Sequence, residues 1–427
     1  MQIVVIRPGD SLYQIARAYG VSVADIVQAN QIPNPNQLVV GQSIVIPIVG
    51  SYHWVRPGES LYSISRQYGV PLSELIRINQ IRNPSQIQVG LRLYIPPKTR
   101  LAKDVGAYID PRITGANSTQ VVDEVAQHLT YLPIFSYAVD AQGNLTPVDD
   151  QGPLQAAARH QVAPLLVLTN FAEGTFKTEI ATTILNDEAL QDKVLDEAIR
   201  IMDEKGYKGL DFDFEYLGAA NREPYVRFIR KAAARMREKG YFISVALAPK
   251  LSAGQIGTLY EGHDYQALGE IVDFIFFMTY EWGWSGGPPM AVSPINQVRK
   301  VMDYAISVVP KDKIMMGMPL YGYDWTLPYV RGGKFARAIS PQQAIEIAAR
   351  YHARIEYDPI AQAPHFNYYD EQGRQHEVWF EDARSVQAKF DLVKELGIRG
   401  FFYWVLGYDF PQNWLLIEDN FRVNKRV

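Results

Sequence analysis

Residues 100–427 alternate apolar runs of strand length with segments of helical periodicity, the latter clearest at 195–204 and 224–239. Eight strands separated by helices predict an α/β fold, a parallel (β/α)8 TIM barrel, with its chemistry at the C-terminal ends of the strands. The predicted strands are residues 105–109, 132–138, 165–170, 209–215, 242–247, 274–279, 314–320 and 399–405.

Residues 324–397, between the seventh and eighth predicted strands, exceed what one helix needs. Aromatic side chains alternate there with acidic ones, at Tyr357, Phe366, Tyr368, Tyr369 and Trp379. This segment predicts a small α+β insertion that forms a shallow wall beside the site.

The first hundred residues contain a tandem repeat, since 21 of the 41 positions in 7–47 are identical to those in 56–96. Each copy has the pattern of a βααβ unit, with a closing strand that ends in Ile-Pro. Ser22 begins a capping-box pattern for the second helix, and Pro71 replaces it in the second copy. The sequence thus predicts three domains, at residues 1–48, 50–97 and 100–427.

The fourth predicted strand carries acidic residues on one face. Residues 209–216 read Gly-Leu-Asp-Phe-Asp-Phe-Glu-Tyr, and the period of two puts Asp211, Asp213 and Glu215 together. Phe212 and Phe214 share the opposite face, which solvated acids on an edge strand would not explain. Three inward carboxyl groups cannot all ionise in a desolvated site, so at least one holds a proton. A glycosidase needs such a protonated acid beside a carboxylate.

The composition of the chain excludes several classes of function. The net charge of −4 gives no attraction to polyanions, so we expect neither nucleic acid nor membrane surface as a partner. The absence of cysteine excludes disulfides, thiolate metal sites and a cysteine nucleophile. Aromatic residues make up 12%, and such side chains often stack on sugars. No signal peptide or membrane-spanning run is apparent, which predicts synthesis in the cytoplasm.

The repeats resemble LysM domains. The segments Arg-Pro-Gly-Asp-Ser-Leu-Tyr from residue 7 and Arg-Pro-Gly-Glu-Ser-Leu-Tyr from residue 56 carry the likeness. The resemblance implies binding of N-acetylglucosamine polymers in a groove between two loops of each copy, although these residues could instead only specify a small fold. The implied groove residues are Gly9, Asp10, Ser11, Leu12, Asn30, Gln31 and Ile32, with Gly58, Glu59, Ser60, Leu61, Asn79, Gln80 and Ile81.

The acidic strand resembles the Asp-x-x-Asp-x-Asp-x-Glu signature of glycoside hydrolase family 18, except that Lys208 replaces the leading acid. Met-Thr-Tyr-Glu at 278–281 resembles the Met-x-Tyr-Asp motif at the sixth strand, with Glu281 in place of Asp. Residues 317–322 resemble the seventh-strand segment, and Trp404 occupies the position of the tryptophan that floors the sugar pocket.

The family resemblance implies substrate-assisted retaining hydrolysis of a 2-acetamido sugar. In that scheme Glu215 donates a proton to the glycosidic oxygen and later activates water. Asp213 orients the acetamido group, helped by Tyr280, and Asp211 shares the proton that lets Asp213 turn. No cofactor and no metal are expected.

Further residues are implied as substrate contacts. They are Tyr216, Met278, Thr279, Glu281, Tyr321, Trp404 and Tyr108, with Trp282 and Trp284 in outer positions. Trp404 and the tyrosines could alternatively serve only in packing.

Two LysM-like repeats before a family 18-like barrel resemble the cortex-lytic enzymes of spore-forming bacteria. The resemblance implies a monomeric N-acetylglucosaminidase of spore peptidoglycan, made in the mother-cell cytoplasm, located at the coat–cortex boundary and used in germination. Its partner would be peptidoglycan or a chitin-like N-acetylglucosamine polymer. Two alternatives remain open: a catalytically weak coat lectin and a chitinase.

Overall fold

The computed structural model describes residues 1–427 and begins with the two predicted βααβ repeats. The first repeat contains β1 (Gln2–Val5), α1 (Leu12–Tyr19), α2 (Val23–Asn30) and β2 (Ser43–Ile46), and the second contains β3 (Ser51–Trp54), α3 (Leu61–Tyr68), α4 (Leu72–Ile78) and β4 (Arg92–Ile95). Ser22 forms the predicted capping box on α2, whereas Pro71 begins α4 with no side-chain cap.

Eight parallel strands close into the predicted barrel, since every neighbouring pair is parallel and the eighth strand returns to the first. Before the insertion the strands are β5 (Leu101–Ala107), β6 (Tyr131–Val139), β7 (Leu145–Thr146), β8 (Ala163–Thr169), β9 (Phe171–Ala172), β10 (Thr175–Phe176), β11 (Gly209–Asp213), β12 (Phe242–Leu247), β13 (Phe274–Phe277) and β14 (Ile314–Pro319). The barrel strands among them are β5, β6, β8 and β11 to β14.

Helices connect the barrel strands, and the longer ones cover the outside of the barrel. They are α5 (Pro111–Thr114), α6 (Ser118–Val125), α7 (Gln151–Arg159), α8 (Thr178–Leu185), α9 (Glu188–Lys205), α10 (Arg222–Lys239), α11 (Thr258–Glu261), α12 (Tyr265–Ile271) and α13 (Ile295–Val308), with 3-10 turns at Gly115–Asn117, Ala126–His128, Ala219–Asn221 and Lys311–Lys313. The helical segments expected at 195–204 and 224–239 belong to α9 and α10. No helix is both long and apolar enough to cross a bilayer.

The insertion is a five-stranded antiparallel sheet with one helix. It comprises β15 (Gly322–Thr326), β16 (Arg337–Ile339), α14 (Pro341–Arg350), β17 (Glu356–Asp358), β18 (Ala363–Tyr369) and β19 (Gln375–Trp379), in the sheet order β16-β15-β19-β18-β17. The chain then completes the barrel with α15 (Ala383–Leu396), β20 (Gly400–Trp404), α16 (Pro411–Asn420) and β21 (Phe421–Val423). The predicted fold class is therefore confirmed, including the α+β insertion.

The first repeat packs directly on the barrel and the insertion. Val45 belongs to the main barrel core, and the Ile355 N–H donates a 2.9 Å hydrogen bond to the Val40 carbonyl. The second repeat makes its hydrogen bonds to the first, where the Gln2 side chain pairs with the backbone of Tyr52 at 2.7 and 3.0 Å. The second repeat is thus held through its contacts with the first.

Candidate active site

The acidic residues of β11 point into the barrel, as the period of two in residues 209–216 predicts. Phe212 packs outward on Phe228 of α10, with ring centroids 5.5 Å apart, whereas Asp211 and Asp213 are buried inside the barrel. The strand ends at Asp213, two residues before the predicted end. The Asn170 side chain replaces the strand partner for Glu215, since it accepts from the Glu215 N–H at 3.0 Å and donates to its carbonyl at 2.9 Å. Glu215 is thereby held just beyond the strand.

Asp211 is fixed by two hydroxyl groups. Tyr108 donates to its Oδ2 at 2.5 Å, and Ser244 donates to its Oδ1 at 2.6 Å. Burial raises the pKa of Asp211 to about 6, and the two hydrogen bonds oppose that rise because they stabilise the charged form. Asp211 is therefore anchored, and its pKa lies above that of an exposed aspartate.

Asp213 and Glu215 are held differently. Asp213 Oδ1 is buried without a hydrogen-bond partner. Burial, with the charges of Glu215 and Asp211, raises the pKa of Asp213 well above its usual value. Burial raises the pKa of Glu215 to about 8, and the charge of Glu281 adds to that rise. At neutral pH this arrangement keeps a proton on Glu215, as a general acid requires.

Glu281 is largely enclosed by tyrosines. Tyr321 and Tyr323 both donate to its Oε1, the second at 2.9 Å. These bonds lower its pKa, but burial prevails and leaves that pKa raised. Glu281 and Tyr216 are non-glycine residues with left-handed backbones, at φ 65° and 53°. Such backbone strain is often concentrated at functional sites.

An open cleft of about 650 Å³ lies over these groups at the C-terminal end of the barrel. Trp404 contacts Phe135 edge to face at 5.0 Å and Tyr108 at 5.6 Å between ring centroids. Aromatic rings with carboxyl groups beside them can hold a sugar by stacking and place its glycosidic oxygen near an acid. The lining of the cleft includes Asp110, Arg112, Phe135, Phe171, Asp213, Glu215, Tyr216, Met278, Tyr280, Glu281, Trp282, Trp284, Tyr321, Tyr323, Trp404 and Tyr408.

Most of the chain matches one known protein family. Residues 112–409, well over half of the chain, match the family described as glycosyl hydrolases family 18. The chain belongs to glycosyl hydrolase family 18. Residues 4–47 and 53–96 each match the LysM domain, so this family 18 glycosidase carries two glycan-binding domains.

Relatives match this family 18 chain over its full length. It is 53% identical to the cortical fragment-lytic enzyme of Bacillus subtilis (strain 168) and 47% identical to that of Bacillus anthracis, with 100% of each chain covered in both cases. The crystal structure of the Bacillus megaterium spore cortex-lytic enzyme SleL superposes with a TM-score of 0.92 at 47% identity, covering 100% of this chain and 99% of that one. A chitinase from Chromobacterium violaceum gives a TM-score of 0.68 at 25% identity over 74% of this chain and 98% of that chitinase.

The family 18 cleft brings together most of the predicted contact residues. Those in its lining are Asp213, Glu215, Tyr216, Met278, Tyr280, Glu281, Trp282, Trp284, Tyr321 and Trp404. Asp211 and Tyr108 lie beneath them in the barrel. Thr279 is fully buried outside the lining, and its hydroxyl donates to the Gly317 carbonyl at 2.7 Å. Lys208, which replaces the leading acid of the family 18 signature, is exposed just before β11.

Sequence reasoning did not identify the residues that hold these groups in place. Asn170, Ser244 and Tyr323 each bind one of the acidic residues, and Tyr408 lines the cleft beside Tyr321, at 5.7 Å between centroids. Asn170 follows an apolar barrel strand directly, and a polar residue at such a strand end was the one available signal.

The predicted LysM residues have different environments. Leu12, Ile32 and Leu61 are buried in the small cores of the repeats, and Ile81 packs against the second core. Asn30 uses its amide on the backbone of Ile26 and Val45, at 2.7 to 2.9 Å, and Asn79 makes the equivalent bonds in the second repeat.

The remaining LysM residues lie at or near the surface. Gly9, Asp10 and Ser11, with Gly58, Glu59 and Ser60, are exposed or half-buried, as are Gln31 and Gln80. Gln31 faces the insertion, since the Gln342 side chain donates to its carbonyl at 2.9 Å. Gln80, its counterpart, lies on a repeat whose hydrogen bonds to other domains all go to the first repeat. The two copies therefore present their loops differently.

Proposed function

We propose that the protein is an N-acetylglucosaminidase of spore-cortex peptidoglycan that uses its substrate's acetamido group as the nucleophile. The observation that carries the proposal is the contrast between Asp213, whose buried Oδ1 lacks a partner, and the protonated Glu215 beside it. Glu215 thus has a proton to donate, and the buried Oδ1 of Asp213, whose pKa is also raised, is left to accept a hydrogen bond from the substrate. The full-length likeness to cortical fragment-lytic enzymes supports the choice of polymer.

The first chemical step breaks the glycosidic bond. Glu215 transfers its proton to the glycosidic oxygen while the acetamido carbonyl oxygen of the same sugar attacks the anomeric carbon. Asp213 accepts a hydrogen bond from the acetamido N–H and stabilises the oxazolinium cation. Tyr280, which is 8% exposed and borders the cleft, assists at the same group. Asp211 shares a proton with Asp213 and so compensates for the burial of two neighbouring acids.

The second step releases the product. Glu215, now a carboxylate, removes a proton from water as that water attacks the anomeric carbon, and the acetamido group is restored. Trp404 forms the floor beneath the sugar, and Tyr216, Met278, Glu281 and Tyr321 line the positions around it.

The two LysM repeats hold the enzyme on insoluble glycan. Two linked modules raise the effective concentration of the second binding event, so avidity exceeds the affinity of either module. The exposed loops of the second repeat, at Ser60 and Gln80, provide the less obstructed glycan surface. Location at the coat–cortex boundary of the spore and action during germination follow from the proposed substrate.

The proposal is tested by incubating the protein with cortex fragments and, separately, with chitin oligosaccharides. The molecular masses of the products are then measured by mass spectrometry. Cortex products that end in a reducing N-acetylglucosamine are expected. Cleavage of chitin oligosaccharides alone would identify a chitinase instead. Binding to both glycans with no product from either would identify a lectin.

A further inference from the structure

The cleft contains one cation among several acids. Asp110, Asp213, Glu215 and Glu281 are its acidic residues, and Arg112 is the single lysine or arginine in its lining. A glycan of N-acetylglucosamine alone is uncharged and requires no cation for its recognition. Arg112 therefore needs an explanation of its own.

Arg112 is held rigidly. Its Nε and Nη2 donate to the carboxylate of Asp110 at 2.7 to 3.2 Å. The guanidinium carbon also lies 5.2 Å from the ring centroids of both Phe135 and Phe171. A planar guanidinium fixed in this way loses little entropy when it binds a further acceptor.

One nitrogen of this group remains available. All three bonds to Asp110 use Nε or Nη2, so Nη1 keeps two N–H donors without a protein partner. The Arg112 side chain is 52% exposed, whereas Asp110 is 7% exposed. The pair thus presents donors at the edge of the cleft and keeps its carboxylate behind them.

The position of Arg112 relates it to the sugar floor. Phe135 contacts both Trp404 and Arg112, so a single aromatic ring separates the guanidinium from Trp404. The guanidinium could then reach a sugar bound next to one that stacks on Trp404. In a polymer that alternates N-acetylglucosamine with N-acetylmuramic acid, N-acetylglucosamine above Trp404 puts a muramic residue at that neighbouring position.

We propose that Arg112 Nη1 forms a subsite for the 3-O-lactyl group of that muramic residue, binding its carboxylate or carbonyl oxygen. The lactyl group is the part of peptidoglycan that chitin lacks, so the subsite selects peptidoglycan over chitin. This assignment rests on the proposed function and adds a specificity residue to it. A free carboxylate, a peptide-bearing carbonyl and a lactam carbonyl all present the same acceptor oxygen to Nη1.

The test compares Arg112→Met with the parent on soluble tetrasaccharides. One substrate alternates N-acetylglucosamine with peptide-free N-acetylmuramic acid, a second carries muramic lactam, and a third is chitotetraose. We expect kcat/KM to fall about 10- to 100-fold on a lactyl-bearing substrate, as for a lost charge-assisted hydrogen bond, and less than about threefold on chitotetraose. A fall on only one of the two muramic substrates identifies the form of the lactyl group that is bound.

Arg159→Met is the matched control, because Arg159 pairs with Asp123 at 2.7 and 2.8 Å on the outer surface of the barrel. It should leave all three values unchanged. Parental kcat/KM on both muramic substrates, or an equal fall on all three substrates, would overturn the subsite. A parent protein that cleaves chitotetraose and neither muramic substrate would instead overturn the proposed function.

Discussion

The hydroxyl of Tyr108 donates a 2.5 Å hydrogen bond to Oδ2 of Asp211 across the interior of the barrel. Tyr108 follows β5 and Asp211 lies on β11, and these two strands are not neighbours. The bond therefore fixes Asp211 independently of the sheet. Asp213, two residues farther along the same strand, lacks such a bond at Oδ1. Of the two carboxyl groups, Asp213 is therefore the one that we propose turns toward a substrate.

Tyr108→Phe should move the acid limb of the pH profile upward. The lost hydrogen bond stabilises the charged form of Asp211, so its pKa should rise above the present value of about 6. In the proposed mechanism catalysis needs a negative charge on the Asp211–Asp213 pair, and that charge would then be lost at a higher pH as the medium is acidified. The measurement is kcat/KM against pH on soluble cortex fragments. An acid limb that stays in place or moves downward would contradict the role given to Tyr108.

Glu281→Gln should move the alkaline limb downward. The charge of Glu281 helps to raise the pKa of Glu215 to about 8, so its removal lowers that pKa. Because Glu215 must be protonated to act as the acid, activity would then be lost at a lower pH. Glu281→Asp, which keeps the charge, is the control and should retain an alkaline limb near the parental position. Equal profiles for the two variants would show that the charge of Glu281 does not act on Glu215.

Gly41→Ala should separate the first repeat from the insertion. A Cβ at Gly41 would lie 1.8 Å from the Ile355 carbonyl oxygen, in addition to the strain of a φ of +88°. Gly90 is the matched position in the second repeat, with a φ of +84° and no atom within 4 Å of its Cβ. In both variants backbone strain should lower the free energy of unfolding by about 1 kcal/mol. Only Gly41→Ala should also lose the contact between the first repeat and the insertion.

Small-angle scattering and the thermal midpoint measure the difference between these two variants. Gly41→Ala is expected to have a larger radius of gyration and a lower midpoint than Gly90→Ala. Indistinguishable variants would contradict a docked first repeat.

Local patterns in the sequence predicted the barrel strands and the two faces of β11. Apolar runs located all eight barrel strands, and the period of two placed Asp211 and Asp213 inside and Phe212 outside. The strand ends earlier than predicted because the side chain of Asn170, which follows β8, takes the backbone hydrogen bonds of Glu215. Neither the alternation nor the propensity of residues 209–216 contains that information.

Contacts between distant parts of the chain could not be predicted. The Gln342 side chain reaches the Gln31 carbonyl across 311 positions of sequence, and no periodicity connects them. From the sequence alone the two repeats are therefore predicted to be equivalent, whereas the structure places only the first against the barrel. Tyr108 and Tyr321 were expected only as substrate contacts, and the other two donors to Asp211 and Glu281, Ser244 and Tyr323, were missed for the same reason.

Glu215→Gln tests the central claim most directly, with release of reducing ends from soluble cortex fragments as the measurement. The amide keeps the size of the side chain but cannot donate the acid proton, so kcat should fall about 10²- to 10⁴-fold. The thermal midpoint and the binding to insoluble cortex should stay at the parental level, because the LysM loops are unchanged. Release of reducing ends at the parental rate by a folded Glu215→Gln protein would contradict the account.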